Sequence, residues 1–332
     1  MRRRGRKDSW TGSDGDIMNN PISIGVSACL LGEKVRYDGG HRHDHYLTDI
    51  LGRYFRLVPV CPEVGSGMPI PREAMRLEGD PADPRLVTRQ SRIDLTQQMR
   101  TFCLERVASL ESEGVRGFIF KKNSPSSGLH RVKVYRDGNF TSNGRGLFAA
   151  EVVRRFPFLP VEEEDRLGDP AIRENFIERV FTYARWSSFL QGEPDLGDLV
   201  EFHAAHKLLV MAHSPVLYRE LGALVGNGRQ LERSQLFQRY EELLMMAMAL
   251  CATVKKQTNV LMHIMGYFKA GLSHEEKEEL LELIRQYHDR ALPLIVPVTM
   301  LRHYCLKFND SYLRGQLYLS PHPTELALRN HV

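Results

Sequence analysis

The sequence predicts an α/β domain with an open, mostly parallel, Rossmann-like sheet, followed by an all-α domain. Three observations carry this. The first half holds three short apolar runs bounded by turn residues, a stretch at helical spacing separates the second run from the third, and beyond about residue 165 the chain reads as successive helices. The runs Ile22 to Val26, Phe55 to Val60 and Val115 to Phe120 are predicted as buried parallel strands. Between the last two, Met99, Phe102, Cys103, Val107 and Leu110 recur at helical spacing, so a crossover helix is predicted over Ser91 to Leu110, ended by Gly114. A further helix is predicted over Gly146 to Phe156, closed by Pro157.

Helices are then predicted over Pro170 to Leu190, Asp195 to His213, Leu231 to Leu250, Lys255 to Ala270, Ser273 to Ala291 and Val296 to Lys307. Ser273 and Glu276 form a capping-box pair before the apolar positions Leu280, Leu281 and Ile284. Joints fall at 160–168 and 192–197. The expected organisation is a disordered basic and polar tail over 1–20, an α/β domain that carries the site over 21–165, a helical connector over 166–198 and an all-helical domain over 199–332.

Composition narrows the function classes. With 332 residues, 42% hydrophobic and 26% charged, the chain is of the soluble globular class. A net charge of +4 and a pI near 8.7 permit a polyanionic partner without demanding one. Five widely spaced cysteines, an odd number, do not form a secreted disulfide framework and fit a reduced cytoplasm. No apolar run is long enough to span a bilayer, and the tail MRRRGRKDSWTGSDGDIMNN lacks the apolar stretch of a signal peptide. No membrane or protein partner is implied.

The chemistry gathers at the ends of the three strands. The first runs into Ser27-Ala28-Cys29, the second into Cys61-Pro62-Glu63, the third into Lys121-Lys122-Asn123 and Ser124-Pro125-Ser126-Ser127-Gly128. Ligands of open parallel sheets bind at the carboxyl ends of the strands, so the three loops are expected on one edge. Cys29 or Cys61 alone would more readily be core. As a pair, each one step past a strand and beside turn residues, they suggest a metal or cluster site. Cys103, Cys251 and Cys305 are expected in the core.

S-A-C-L-L-G-E-K-V-R-Y-D-G, V-P-V-C-P-E-V-G-S-G-M-P-I-P-R and K-N-S-P-S-S-G resemble, in order and residue type, the thiouracil desulfidase family over about residues 21 to 160. That resemblance implies a [4Fe-4S] cluster held by three cysteines, with one iron left open to bind the substrate's sulfur. Carried over by position, Cys29 and Cys61 match two of the cluster cysteines, and the third falls where this chain has Ser127. The second half, with Phe202-His203-Ala204-Ala205-His206-Lys207, His213-Ser214-Pro215, the stretch Lys255 to His263 and Leu301-Arg302-His303-Tyr304, resembles the YbgA-like helical domain. The two fused in this order are similar to the tRNA 4-thiouridine desulfidases, which implies a 4-thiouridine-containing tRNA as partner. A chain with serine in the third position is alternatively a tRNA-binding relative without a cluster. A desulfidase of free thiouracil is the other alternative.

Removing sulfur from a thiocarbonyl needs a soft group to hold the sulfur, a base to activate water and a source of protons. Glu63, two residues after Cys61, is placed to be the general acid or base. Ser124 is a candidate to orient substrate or water, or else a turn hydroxyl before proline. Arg36, Tyr37 and Asp38 are candidates to hold base or phosphate, with a turn around Asp38-Gly39-Gly40 as the plainer alternative. Arg72, Lys121 and Lys122 are candidate phosphate contacts. His41, His43 and His45 alternate along an extended segment and are either metal ligands or solvated. In the helical part, His203, His206, Lys207, Lys255, Lys256 and Arg302 are expected to form a polar face that meets RNA, with Tyr218, Tyr267 and Tyr304 as candidates for stacking.

Overall fold

A computed structural model describes residues 21–331; the predicted tail over 1–20 lies outside them. The chain divides after Gly168 into two units, the first α/β and the second helical.

In the α/β unit, β1 (Ile22–Ser27) and β2 (Phe55–Val60) pair in parallel, Ile22 beside Phe55 and Ser27 beside Val60. Next come α1 (Pro62–Gly65), β3 (Met75–Asp80), β4 (Asp83–Thr88), α2 (Thr96–Ser112), β5 (Val115–Phe120), β6 (Val132–Arg136), β7 (Asn139–Gly144), α3 (Leu147–Arg155) and β8 (Val161–Glu163). The strands make two four-stranded sheets. The first, in order β2-β1-β5-β8, is parallel throughout. The three predicted strands are neighbours in it, with β2 at one edge, and the burial of β1 and β5 follows from their apolar content: Ile24, Val26, Phe118, Ile119 and Phe120 are all inaccessible. Gly25 is demanded by packing, because a Cβ there would lie 2.2 Å from the Phe118 ring.

The second sheet, in order β4-β3-β6-β7, joins two hairpins through the parallel pair β3–β6. Its strands bury Leu77, Leu86, Val132 and Val134, while Arg85 and Lys133 beside them are exposed. This sheet also shortens the crossover helix. The expected start at Ser91 moves to Thr96, because Thr88 and Leu95 take up strand-like bonds: Leu95 N donates to Leu86 O at 2.8 Å and Thr88 N to Ile93 O at 3.0 Å. Helix α2 then buries Met99, Cys103, Val107 and Leu110, the predicted stripe without Phe102.

The helical unit runs α4 (Pro170–Gln191), α5 (Leu196–His213), α6 (Pro215–Gly226), α7 (Arg233–Met248), α8 (Val254–Phe268), α9 (His274–His288), α10 (Ile295–Lys307) and α11 (Ser311–Arg314). Its starts are set by side-chain caps. Asp169 accepts from Ala171 and Ile172, Asp195 pairs with Asp198, and Ser273 pairs with Glu276 as a capping box. The core is aromatic, with Trp186 packed 5.3 Å from both Tyr240 and Phe202. A buried ionic cluster sits beside it. Arg329 Nη2 donates to Glu178 Oε1 at 2.9 Å and Arg329 Nε to Glu174 Oε1 at 3.2 Å, while His213 Nε2 lies 3.0 Å from Glu178 Oε2. Burial alone would raise the Glu178 carboxyl; the His213 hydrogen bond and the Arg329 charge outweigh it and hold it down at about 2. Cys103 and Cys305 are buried as expected, but Cys251 is exposed, since it follows the end of α7 in an open turn. Among the described residues no helix is long and apolar enough to cross a membrane.

Candidate functional site

The parallel sheet delivers its strand ends to one cavity of about 210 Å³, lined by Cys29, Cys61, Glu63, Ser124 and Ser127 among others. Cys29 lies in a tight helical turn, Ala28–Leu31, that starts where β1 stops and is closed by Gly32 at φ 89°. Cys61 is the N-cap of α1, with Pro62 at the first helical position and Glu63 in the first turn. The loop after β5 is tied to the sheet by Lys121 N, which donates to Ser27 Oγ at 2.9 Å.

Glu63 joins the second strand end to the third. Cys61 Sγ donates to Glu63 Oε2 at 3.3 Å, and Ser126 Oγ donates to Glu63 Oε1. Ser126 and Ser124 hydroxyls are 2.9 Å apart. Ser124 Oγ also accepts from the backbone amides of Ser126 at 3.3 Å and Ser127 at 3.1 Å, and Gly128 N donates to Ser124 O at 2.8 Å. The back of this loop rests on the start of α3, where Phe148 N donates to Ser126 O at 2.8 Å. Gly146 permits that approach, since a Cβ there would stand 2.4 Å from the Ser126 carbonyl carbon. Ser126 was missed in the sequence; its only signal is its place between Ser124 and Ser127.

Both thiols are held in their protonated form. Burial first, and the Glu63 charge second, push Cys29 up to about 11 and Cys61 up to about 12. Among the described residues, no group of three or more His, Cys, Asp or Glu side chains is arranged to hold a metal ion. The cavity offers two sulfur donors and one alcohol. A cluster held by three thiolates therefore does not fit the residues present: the third corner, Ser127, is buried but carries a hard and far less acidic oxygen.

The predicted binding residues divide. Arg36, Tyr37, Arg72, Lys121 and Lys122 line the cavity, but Asp38 does not. Asp38 Oδ1 accepts from Gly40 N at 3.0 Å, and this bond, ahead of the Arg36 charge, keeps its carboxyl low, so Asp38 serves the turn. Lys121 pairs with Glu164, and Lys122 Nζ lies 2.9 Å from Asp165 Oδ2. Arg72 Nη1 donates to Val35 O at 3.0 Å and Nη2 stands 3.9 Å from Glu63 Oε2, so it braces the loop over β1 and faces the carboxylate. His41, His43 and His45 are exposed, with the His43 and His45 rings 4.3 Å apart.

The residues predicted to face RNA do not share one surface. His206 is fully buried, its ring stacked 3.9 Å from Phe202, with Nδ1 donating to Phe202 O at 2.8 Å. His203 is half-buried against Tyr240, and burial lowers it to about 4. Lys256 Nζ donates to His213 O at 2.7 Å, and Lys207 lies over the Tyr312 ring at 4.8 Å. Lys255 and Arg302 are exposed; of the tyrosines, Tyr304 is buried, Tyr218 half-buried and Tyr267 exposed. Burial holds His206 down at about 3, against an ordinary 6.5. The unfolded chain therefore binds this proton first, and the stabilisation it gives is whole above pH about 6.5 and is lost as pH falls toward 3. Between pH 7 and pH 5 the expected loss is about 2 kcal/mol. Urea unfolding followed by Trp186 fluorescence checks this: His206→Phe should lose less by that margin over the same interval, and equal losses would refute it.

Two thiols, a carboxylate and a serine-rich loop at the carboxyl edge of a parallel sheet, in a chain that continues as a helical unit, define a thiouracil desulfurase-like domain joined to a helical one. Comparison with known proteins agrees. The 2-thiouracil desulfurase family matches residues 24–164, and the family described as protein of unknown function (DUF1722) matches residues 207–323. The chain is 32% identical over 135 residues to the uncharacterized protein YbgA of Escherichia coli strain K12, a stretch covering 40% of this chain and 80% of that protein. The chain belongs to the YbgA family. It is also similar to a solved structure, the [4Fe-4S]-dependent thiouracil desulfidase TudS, at 32% identity over 44% of this chain and 93% of that one, with a TM-score of 0.38.

Proposed function

We propose that this chain is built to remove sulfur from 4-thiouridine in tRNA, replacing C=S by C=O with water as the oxygen donor and sulfide as the product, and that its Ser127 form lacks the third thiolate this chemistry calls on. The observation that carries this is the continuous contact Cys61–Glu63–Ser126–Ser124, in which Ser126 is buried behind the wall of the cavity that Cys61, Glu63 and Ser124 line together with Cys29 and Ser127. Glu63 presents one oxygen to a thiol and the other to a hydroxyl, so it is positioned to take a proton from water and to return one to the ring or the leaving sulfide. Ser124 gives its oxygen to two amides and so fixes the loop that closes the cavity. With cysteine at residue 127, that thiol together with Cys29 and Cys61 would hold the [4Fe-4S] group of the family, which would supply a soft site for the substrate's sulfur. In the helical unit, exposed Lys255 and Arg302 and the mildly basic chain suit contact with tRNA phosphates.

The test compares two substrates anaerobically. 4-Thiouridine tRNA and free 4-thiouracil are each followed by loss of thiocarbonyl absorbance, with the parent chain and Ser127→Cys. Turnover of tRNA by the cysteine variant is expected. Turnover of free base with no binding of tRNA would replace the tRNA assignment by the small-molecule one. Binding of tRNA with no turnover by either form would leave a binding protein.

A further inference from the structure

A separate cavity of about 280 Å³ lies within the helical unit and shares no residue with the thiol cavity. Its wall includes Glu174 and Glu178 from α4, His213 from the end of α5, Gln257 from α8 and Tyr287 from α9. That wall holds no free base. Glu174 Oε1 accepts from Arg329, and its Oε2 lies 2.9 Å from His331 Nε2. Glu178 is shared between Arg329 and His213, and the other ring nitrogen of His213 lies 2.6 Å from Leu250 O. Every carboxylate oxygen and both His213 nitrogens are thus engaged, so the cavity is equipped to bind a molecule rather than to transform one.

What this wall leaves unpaired is a set of donors. Gln257 is 4% exposed; its Oε1 accepts from the Tyr318 hydroxyl at 2.8 Å, and its Nε2 has no acceptor among the described residues. Tyr287 is 6% exposed, and its hydroxyl has no partner among the described residues either. Buried donors of this kind favour a ligand that brings acceptors. Helix α8 also starts at this wall, where Thr253 and Val254 line the cavity. Its first turn holds no acid but two lysines, Lys255 and Lys256, so the positive end of its dipole is not compensated within the helix. Arg290, which lines the cavity and is exposed, has no carboxylate partner among the described residues. Donors and positive charge therefore meet in one cavity, and Val254 and Leu294 add apolar wall.

We infer that this cavity binds a small organic acid, a monoanionic carboxylate on an apolar body. The carboxylate takes Gln257 Nε2 and the Tyr287 hydroxyl, with Arg290 beside it, and the body lies against Val254 and Leu294. A dianionic phosphate head suits the cavity less, because its second charge would share the space with Glu174 and Glu178. The helical unit then has a ligand of its own, whatever the thiol cavity acts on.

The test uses three probes with one ring and different heads: benzoate, benzamide and phenyl phosphate, each titrated calorimetrically into the full chain. Benzoate is expected to bind with a dissociation constant of about 1 mM or below. Benzamide and phenyl phosphate should each bind at least about fivefold more weakly. Tyr287→Phe and Arg290→Gln should each weaken benzoate about three- to tenfold. Gln257→Glu should abolish its binding, since the new carboxylate still accepts from Tyr318 but repels the probe. Should that variant fail to fold, the two milder ones carry the test. Undiminished benzoate binding in both of these overturns the site, as does no binding by the parent at about 20 mM. Benzamide bound as tightly as benzoate overturns the need for an anion. Phenyl phosphate bound more tightly overturns the carboxylate class. None of these results touches desulfidation at the thiol cavity, so the two readings fail separately.

Discussion

Reconstituted anaerobically with iron and sulfide, the Ser127→Cys variant is expected to retain iron and labile sulfide in equal amounts, to gain broad visible absorption and to hold at least about tenfold more iron than the parent chain. The reason is donor chemistry rather than shape. The loop at 124–128 is fixed by backbone bonds, from Ser127 N to Ser124 Oγ and from Phe148 N to Ser126 O, and none involves the Ser127 side chain. A thiol therefore arrives at the same corner without refolding. Sulfur there is soft and acidic enough to ionise on binding iron, while an alcohol oxygen is neither. Equal iron in both forms would show that the hydroxyl suffices or that iron sits elsewhere. No iron in the variant would remove Cys29 and Cys61 as ligands.

Glu63→Gln, made in the Ser127→Cys background, should cut turnover by about 10²–10⁴-fold and leave substrate affinity within a few-fold. The amide keeps the shape of the side chain and can still accept from Ser126, so the loop is retained. What it loses is the carboxylate to which we assign proton transfer between water and the reacting centre. Single-turnover desulfidation with saturating 4-thiouridine tRNA separates the two quantities. An undiminished rate would move the proton transfer to another group. A rate restored by raising substrate would make Glu63 a binding residue.

Much of this architecture was legible in residue pattern. Parallel strands show as short, mostly apolar runs, and Phe55–Val60 and Val115–Phe120 fall at the predicted bounds. The second sheet was not seen because its strands are short and half charged: Asp83–Thr88 buries Leu86, Val87 and Thr88 while Arg85 points out. One signal for it did exist. Asp137 and Gly138, both at positive φ, make the turn between β6 and β7, a pairing typical of two-residue hairpins. Helix α6 had a signal as well, Ser214 capping Leu217 N with Pro215 next in line. The strand-end site was visible because parallel-sheet topology places it. The engagement of Lys121 and Lys122 by carboxylates more than forty residues away was not, since local sequence says nothing about which charges meet across a fold. The burial of His206 was likewise hidden, because a helical face reads as polar until the partner helix is known.

The serine loop's dependence on backbone bonds has a consequence for how such a chain changes over generations. Serine and cysteine codons can differ by a single base. Because Gly146 and the Ser124 oxygen hold the loop through its backbone, that one base exchanges a hard donor for a soft one at residue 127 while those backbone contacts persist. Loss of the thiol is then a reversible step, and a lineage that passes through the serine form keeps a finished pocket in reserve.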